Sequence, residues 1–165
     1  MKMITVKTHI TFKDFLIFNI KNSLSRLIVF PLLVLLFFVL KQCMDGSSER
    51  DILQSASLWF AVLFLFIVIR SFFRLRFVFH SNKKIQESIS YTFTHEKIRT
   101  EGETFDGDFT WSTVHKVKEN RDWFLIYQST QTMNMVPKKY FSKEQISELR
   151  TIIKSNHVKA KLRND

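Results

Sequence analysis

Five histidines (His9, His80, His95, His115 and His157) and one cysteine, Cys43, are the residues here best suited to ligate a metal or act as a base or nucleophile. None of the histidines stands at a ligand spacing from another. A lone cysteine excludes an internal disulfide and any cysteine-built metal site. His95-Glu96 places a base beside an acid, but in a polar stretch whose simplest reading is a solvated turn. Asp106-Gly107-Asp108 has the outline of an Asp-x-Asp metal site. Asp-Gly at a hairpin tip has a plainer cause, since such a turn needs positive φ. With three glycines in the whole chain there is no glycine-rich phosphate loop, and no serine sits in a Gly-x-Ser-x-Gly elbow. A non-enzymatic protein with no cofactor and no metal is expected.

Binding chemistry has more material. Arg70, Arg74 and Arg76, followed by Lys83 and Lys84, form a basic run directly after a long apolar segment. Such a run suits the anionic face of a bilayer, where each base contributes about 1 kcal/mol. The plainer reading is the ordinary flank that fixes the orientation of a span. Lys138-Lys139, with Arg121 and Lys116 on other turns of the later sequence, make a candidate rim for lipid headgroups or an acidic partner, or else a solvated barrel edge. Trp111, Trp123 and Tyr127 read as core rather than as a binding face. Nucleic acid is not expected, because a membrane already accounts for the basic charge.

Two apolar runs must position these groups. Leu27 to Leu40 is 14 residues without a polar interruption, and Ile52 to Ile69 is 18 residues interrupted only by Gln54, Ser55 and Ser57. Helices apolar on every face belong in a large core or a bilayer, and 165 residues are too few for the former. The first run makes about 21 Å of helix, short of a hydrocarbon core of about 30 Å. Leu24, Ser25, Cys43 and Met44 extend it, and Arg26 and Lys41 can snorkel to the headgroups. Pro31 within it is tolerable as a kink. Trp59 suits an interfacial depth.

Charge sets the orientation. Residues 1–26 carry five Lys/Arg against one acid, the connection 41–51 two against three, and residues 70–165 eighteen against eleven. By the positive-inside rule both termini are cytoplasmic and the short acidic loop faces out. No cleavable signal is expected, since the first apolar run starts too late.

Around the spans, Ile4, Val6 and Ile10 outline a short N-terminal strand, and Thr11-Phe12-Lys13-Asp14 fits a capping box opening an interfacial helix. From Ser88 the apolar period falls to two: Ile89, Tyr91 and Phe93 alternate with polar residues. Further strands follow around Ile98 and Thr100, over Val114 to Glu119, Trp123 to Gln128 and Thr132 to Val136, with Pro137 ending the last. Gly102 and Asp106-Gly107-Asp108 mark turns. Ser142-x-x-Gln145 opens a helix whose stripe is Ile146, Leu149, Ile152 and Ile153, with Phe141 as its staple. The tail from Asn156 is expected to be frayed and solvated.

Tyr91-Thr92-Phe93-Thr94-His95-Glu96-Lys97-Ile98, Trp111-Ser112-x-Val114-x-Lys116-Val117-x-Glu119, Phe124-Leu125-Ile126-Tyr127 and Val136-Pro137-Lys138-Lys139-Tyr140-Phe141 together resemble the YcxB-like family of small bacterial membrane proteins. The resemblance covers roughly residues 85–154, and Thr11 to Phe15 is similar to that family's N-terminal element. The family more often has Arg where this chain has Lys139, so the guanidinium fork is missing there. The resemblance implies two spans and a bacterial inner membrane, and no catalytic residue or ligand.

The fold expected is thus a membrane α-helical hairpin plus an α+β domain, the latter a pleckstrin-homology-like antiparallel β-barrel closed by one C-terminal amphipathic helix. The expected parts are an N-terminal strand and interfacial helix over 1–23, the hairpin over 24–76, the cytoplasmic domain over 77–156 and a basic tail over 157–165. The function expected is a membrane-tethered module that holds a cytoplasmic protein, peptide or lipid headgroup at the inner membrane. The alternative is a small immunity or stress-protection protein acting through its spans. Assembly with further copies through the Phe-rich spans is compatible with either.

Overall fold

A computed structural model describes residues 3–46 and 48–163, apart from the side chains of Arg26, Leu27 and Glu49. The snorkelling expected of Arg26 therefore lies outside the described residues. The chain forms two compact units: Met1–Ile10 with Lys84–Asp165, and Thr11–Lys83 between them.

The inserted unit is a pair of long helices. Helix α1 (Phe12–Met44) opens on the expected capping box, with Thr11 accepting from the Asp14 N–H and Asp14 reaching back to the Thr11 N–H. It is bent by 40° between Ser25 and Ile28. Pro31 explains the place of the bend, because its ring removes the hydrogen bond to the carbonyl four residues earlier. Gly46, at φ 73°, ends the helix in the left-handed conformation that glycine adopts freely. Helix α2 (Glu49–Ser81) is capped by Ser48. Its stretch Arg50–Ser81 is long and apolar enough to cross a membrane, and the bent α1 passes the same test if taken as one span. Large apolar side chains point outward along both helices: Phe37 is 72% exposed and Leu53 74%.

The other unit holds two four-stranded sheets and a covering helix. In the first sheet β1 (Ile4–His9), β2 (Ser88–Phe93), β3 (Lys97–Glu101) and β4 (Asp106–Thr110) are neighbours in that order. Strand β1 pairs with β2 along its whole length, from Ile4 opposite Phe93 to His9 opposite Ser88. The helical unit is thus inserted between two paired antiparallel strands. In the second sheet β6 (Trp123–Tyr127) lies between β5 (Lys116–Glu119) and β7 (Met133–Pro137). Four of its five residues are buried, as a strand covered on both faces requires. After the four-residue α3 (Lys83–Gln86), the next α-helix, α4 (Lys143–Ser155), keeps its predicted capping box between Ser142 and Gln145 and buries Leu149, Ile152 and Ile153. These meet Tyr91, Phe93, Ile98, Trp111, Phe124 and Ile126 in one core.

Three expectations need correction. The sheets do not close into a barrel. A 3₁₀ turn, Trp111–Thr113, carries the chain from one sheet to the other, and the edge of β5 that closure would require is already taken. Strand β8 (Ala160–Lys161) occupies it, running parallel to β5. The C-terminal segment is therefore not simply solvated: the Val117 N–H donates to the Lys159 carbonyl, and Val158 and Leu162 pack on the core. Third, Asp106-Gly107-Asp108 is no hairpin tip but part of β4, opposite Arg99, Thr100 and Glu101. Asp106 and Asp108 pair across the strands with Arg99 and Lys97, which gives the two acids a reason to be in a strand. The turn lies earlier, at Gly102, where a Cβ would sit 2.7 Å from Glu87 Oε2 and closer still to the Phe105 ring.

Candidate functional site

The predicted rim residues divide between structural and exposed positions. Lys138 is committed to the interior. Its ammonium lies 2.6 Å from Glu119 Oε1 and 5.4 Å from the centre of the Phe124 ring. The Glu119 side chain is wholly buried, and Arg150 grips it with two nitrogens, at 2.7 Å to Oε1 and 2.9 Å to Oε2. The Arg163 backbone N–H adds a third donor at 3.0 Å to Oε2. Burial alone would raise this carboxyl. The hydrogen bonds from Arg150, Lys138 and Arg163 overcome it and hold the group below the ordinary carboxylate value. One carboxylate thereby ties together β5, the turn after β7, α4 and the C-terminal segment.

Arg121 and Lys139 are exposed at one end of the second sheet. They are drawn together because the Lys138 N–H donates to the Asp122 carbonyl, joining the β5–β6 turn to the 3₁₀ turn Lys138–Tyr140. Lys139 lies 5.2 Å from the Tyr140 ring centre. The Tyr140 hydroxyl donates to the His9 carbonyl at 2.7 Å. His9 is the last residue of β1, so this basic end is also where the chain leaves the sheets for the helices. Lys116 is not part of it. It starts β5, opposite Tyr127, and stands over that ring at 4.7 Å.

A second carboxylate shapes the neighbouring edge. Glu87 accepts from the Thr104 hydroxyl at 2.6 Å and from the N–H groups of Glu103 and Thr104 at 2.7 and 3.0 Å. The Thr104 hydroxyl first, and then these N–H groups, keep it below its usual value. Glu87 holds the β3–β4 turn; it is a structural anion that sequence reasoning passed over. A glutamate one residue before a strand carries no local signal for a turn some sixteen residues on.

The expected chemistry at His95-Glu96 finds only a turn. Both residues are exposed, and the Thr94 hydroxyl accepts from the Lys97 N–H at 3.0 Å to close it. His95 borders an open hollow with Glu144, Ser147 and Glu148 on α4. Among the described residues no group of three or more His, Cys, Asp or Glu side chains is placed to hold a metal. Trp111 and Trp123 are buried, and the Trp111 ring nitrogen donates to the Thr94 carbonyl at 2.8 Å.

The basic run after the apolar stretch is also divided. Arg70 and Arg74 border a groove of about 750 Å³ between α1 and α2 with Ser23, Ser25 and Ser71, above Val29, Phe30, Leu33, Phe66 and Ile67. Arg76 is not among the residues lining it. Lys83 and Lys84 open the short helix α3 (Lys83–Gln86), where Lys84 stands 5.0 Å from the centre of the Phe105 ring.

Residues 93–153 match the family model described as YcxB-like protein. That stretch of the chain is YcxB-like. It contains β3 to β7 and nearly all of α4, together with Glu119, Lys138 and Arg150, so the buried ion cluster lies inside the matched segment. Strand β1 and the helical unit lie outside it. No curated protein and no solved structure matches the chain.

Proposed function

We propose that this chain is a membrane-tethered, non-enzymatic interaction module of the bacterial inner membrane. Its helical pair crosses the bilayer as a hairpin, both termini are cytoplasmic, and the YcxB-like unit is held at the inner leaflet to bind a cytoplasmic protein or peptide. The observation that carries this reading is the pairing of β1 with β2 across the inserted helices. Two neighbouring strands of one sheet must lie on the same side of a membrane. The helices between them therefore cross an even number of times, and if α2 spans, the bent α1 spans too.

Two further observations support it. Outward Phe, Leu and Ile side chains on both helices are stable in hydrocarbon and costly in water, at about 25 cal/mol per Å² of apolar surface. The basic end formed by Arg121 and Lys139 lies where the chain leaves the sheets, a position suited to anionic headgroups. Lys116, standing over the half-buried Tyr127 ring, is a separate basic position open to a cytoplasmic partner. The positive charge is spent on orientation and leaflet attraction, with no nucleic acid involved.

Replacing Thr11–Lys83 by a short Gly-Ser turn tests the tether. The full chain is expected to float with phospholipid vesicles in a density gradient. The shortened chain is expected to stay folded, by circular dichroism and tryptophan fluorescence, and to remain in the dense fraction. The two bases of that end, Arg121 and Lys139, at about 1 kcal/mol each, are too few to float it. Flotation of both chains, or of neither, rejects the hairpin as the tether.

A further inference from the structure

The groove between α1 and α2 has a polar end and an apolar end. Arg70 follows directly on the 18-residue apolar run, about 27 Å of helix, so in a bilayer it stands at an edge of the hydrocarbon. Arg70 and Arg74 are four residues apart and share one helix face, together with Ser71. Ser23 and Ser25 face them from α1, and the aromatic and aliphatic residues of the groove lie toward the membrane interior. Ser23, Ser71 and Arg74 also border an adjoining hollow of about 310 Å³ that includes Asn19.

Charge is uncompensated here. Neither arginine has a carboxylate partner among the described residues, and no acidic residue lines the groove. Two like charges at this spacing repel along a helix. An anion between them removes the repulsion, and a guanidinium pair with adjacent hydroxyls matches phosphate oxygens in number and geometry.

We propose that this groove is a binding site for one anionic phospholipid of the inner leaflet. Its phosphodiester is held by Arg70, Arg74 and the serine hydroxyls, and its acyl chains lie along Val29, Phe30, Leu33 and Phe66. The lack of any lining carboxylate favours a headgroup without an ammonium, of the phosphatidylglycerol type. The site rests on the membrane reading above, and differs from a general basic flank in excluding Arg76.

Native mass spectrometry of the full chain, released from vesicles of mixed phosphatidylcholine and phosphatidylglycerol, tests it. The wild type is expected to retain one phosphatidylglycerol in preference to phosphatidylcholine. Arg70→Gln/Arg74→Gln should retain it at least about tenfold less. Ser23→Phe, which fills the groove and leaves both arginines in place, should lose it as well, while Arg76→Gln keeps it. Equal retention of the two lipids, or an equal loss in Arg76→Gln, overturns the site and leaves the membrane tether standing. A full chain that never enters the vesicles overturns both.

Discussion

Glu119 shows how far one side chain can organise this fold. It is a buried anion whose charge is met by two cations and a backbone N–H from three separate segments. Removing one partner of a buried pair costs about 3–5 kcal/mol, because the remaining charge is left uncompensated. Lys138→Glu is therefore expected to unfold the YcxB-like unit, while Lys139→Glu, one residue on and exposed, changes stability by about 0.5 kcal/mol or less. The pH dependence has a definite sign. A carboxyl held below the ordinary glutamate value in the folded state stabilises the fold at neutral pH and loses that contribution as pH falls through its folded value. Thermal unfolding of the detergent-solubilised chain should show a fall in stability below about pH 4.5 that is shallower in Glu119→Gln, with Glu87 supplying part of what remains. The Lys138-Lys139 pair looks like a surface dibasic step in the sequence. What separates the two lysines is a glutamate 19 residues away, and no local pattern records that distance.

Among the elements, those with local signatures were legible and those made by distant partners were not. The Ser142 capping box and the stripe Ile146, Leu149, Ile152 and Ile153 give α4 from its own residues. Both apolar runs lie within helices α1 and α2, and the alternation of Ile89, Tyr91 and Phe93 is the inward face of β2. Strand β8 escaped because its two residues owe their conformation to the free edge of β5, and the sheet of β4 escaped because Asp-Gly reads as a turn until Arg99 and Lys97 are seen opposite. Strand β1 was visible as a weak alternation, but its partner lies beyond both helices. Its membership of the sheet gives a direct prediction. Ile4 is 2% exposed and opposite Phe93, so Ile4→Ala should destabilise the two-sheet unit by about 2–5 kcal/mol. Lys7→Ala, on the outer face of the same strand, should cost no more than about 0.5 kcal/mol. Denaturant unfolding followed by Trp111 and Trp123 fluorescence measures both.

At the scale of the whole molecule a pair of helices is inserted between two paired strands of one sheet, and the topology proposed above puts both ends of that pair on the cytoplasmic side. The single cysteine, Cys43, is exposed in the last turn of α1, and Ser112 is exposed on the other unit. The decisive measurement is labelling of intact cells with a membrane-impermeant maleimide, comparing native Cys43 with Ser112→Cys in a Cys43→Ser background. The proposed topology predicts that Cys43 reacts from outside and that position 112 reacts only after permeabilisation. Labelling of both from outside, or of neither until the cells are opened, would contradict it.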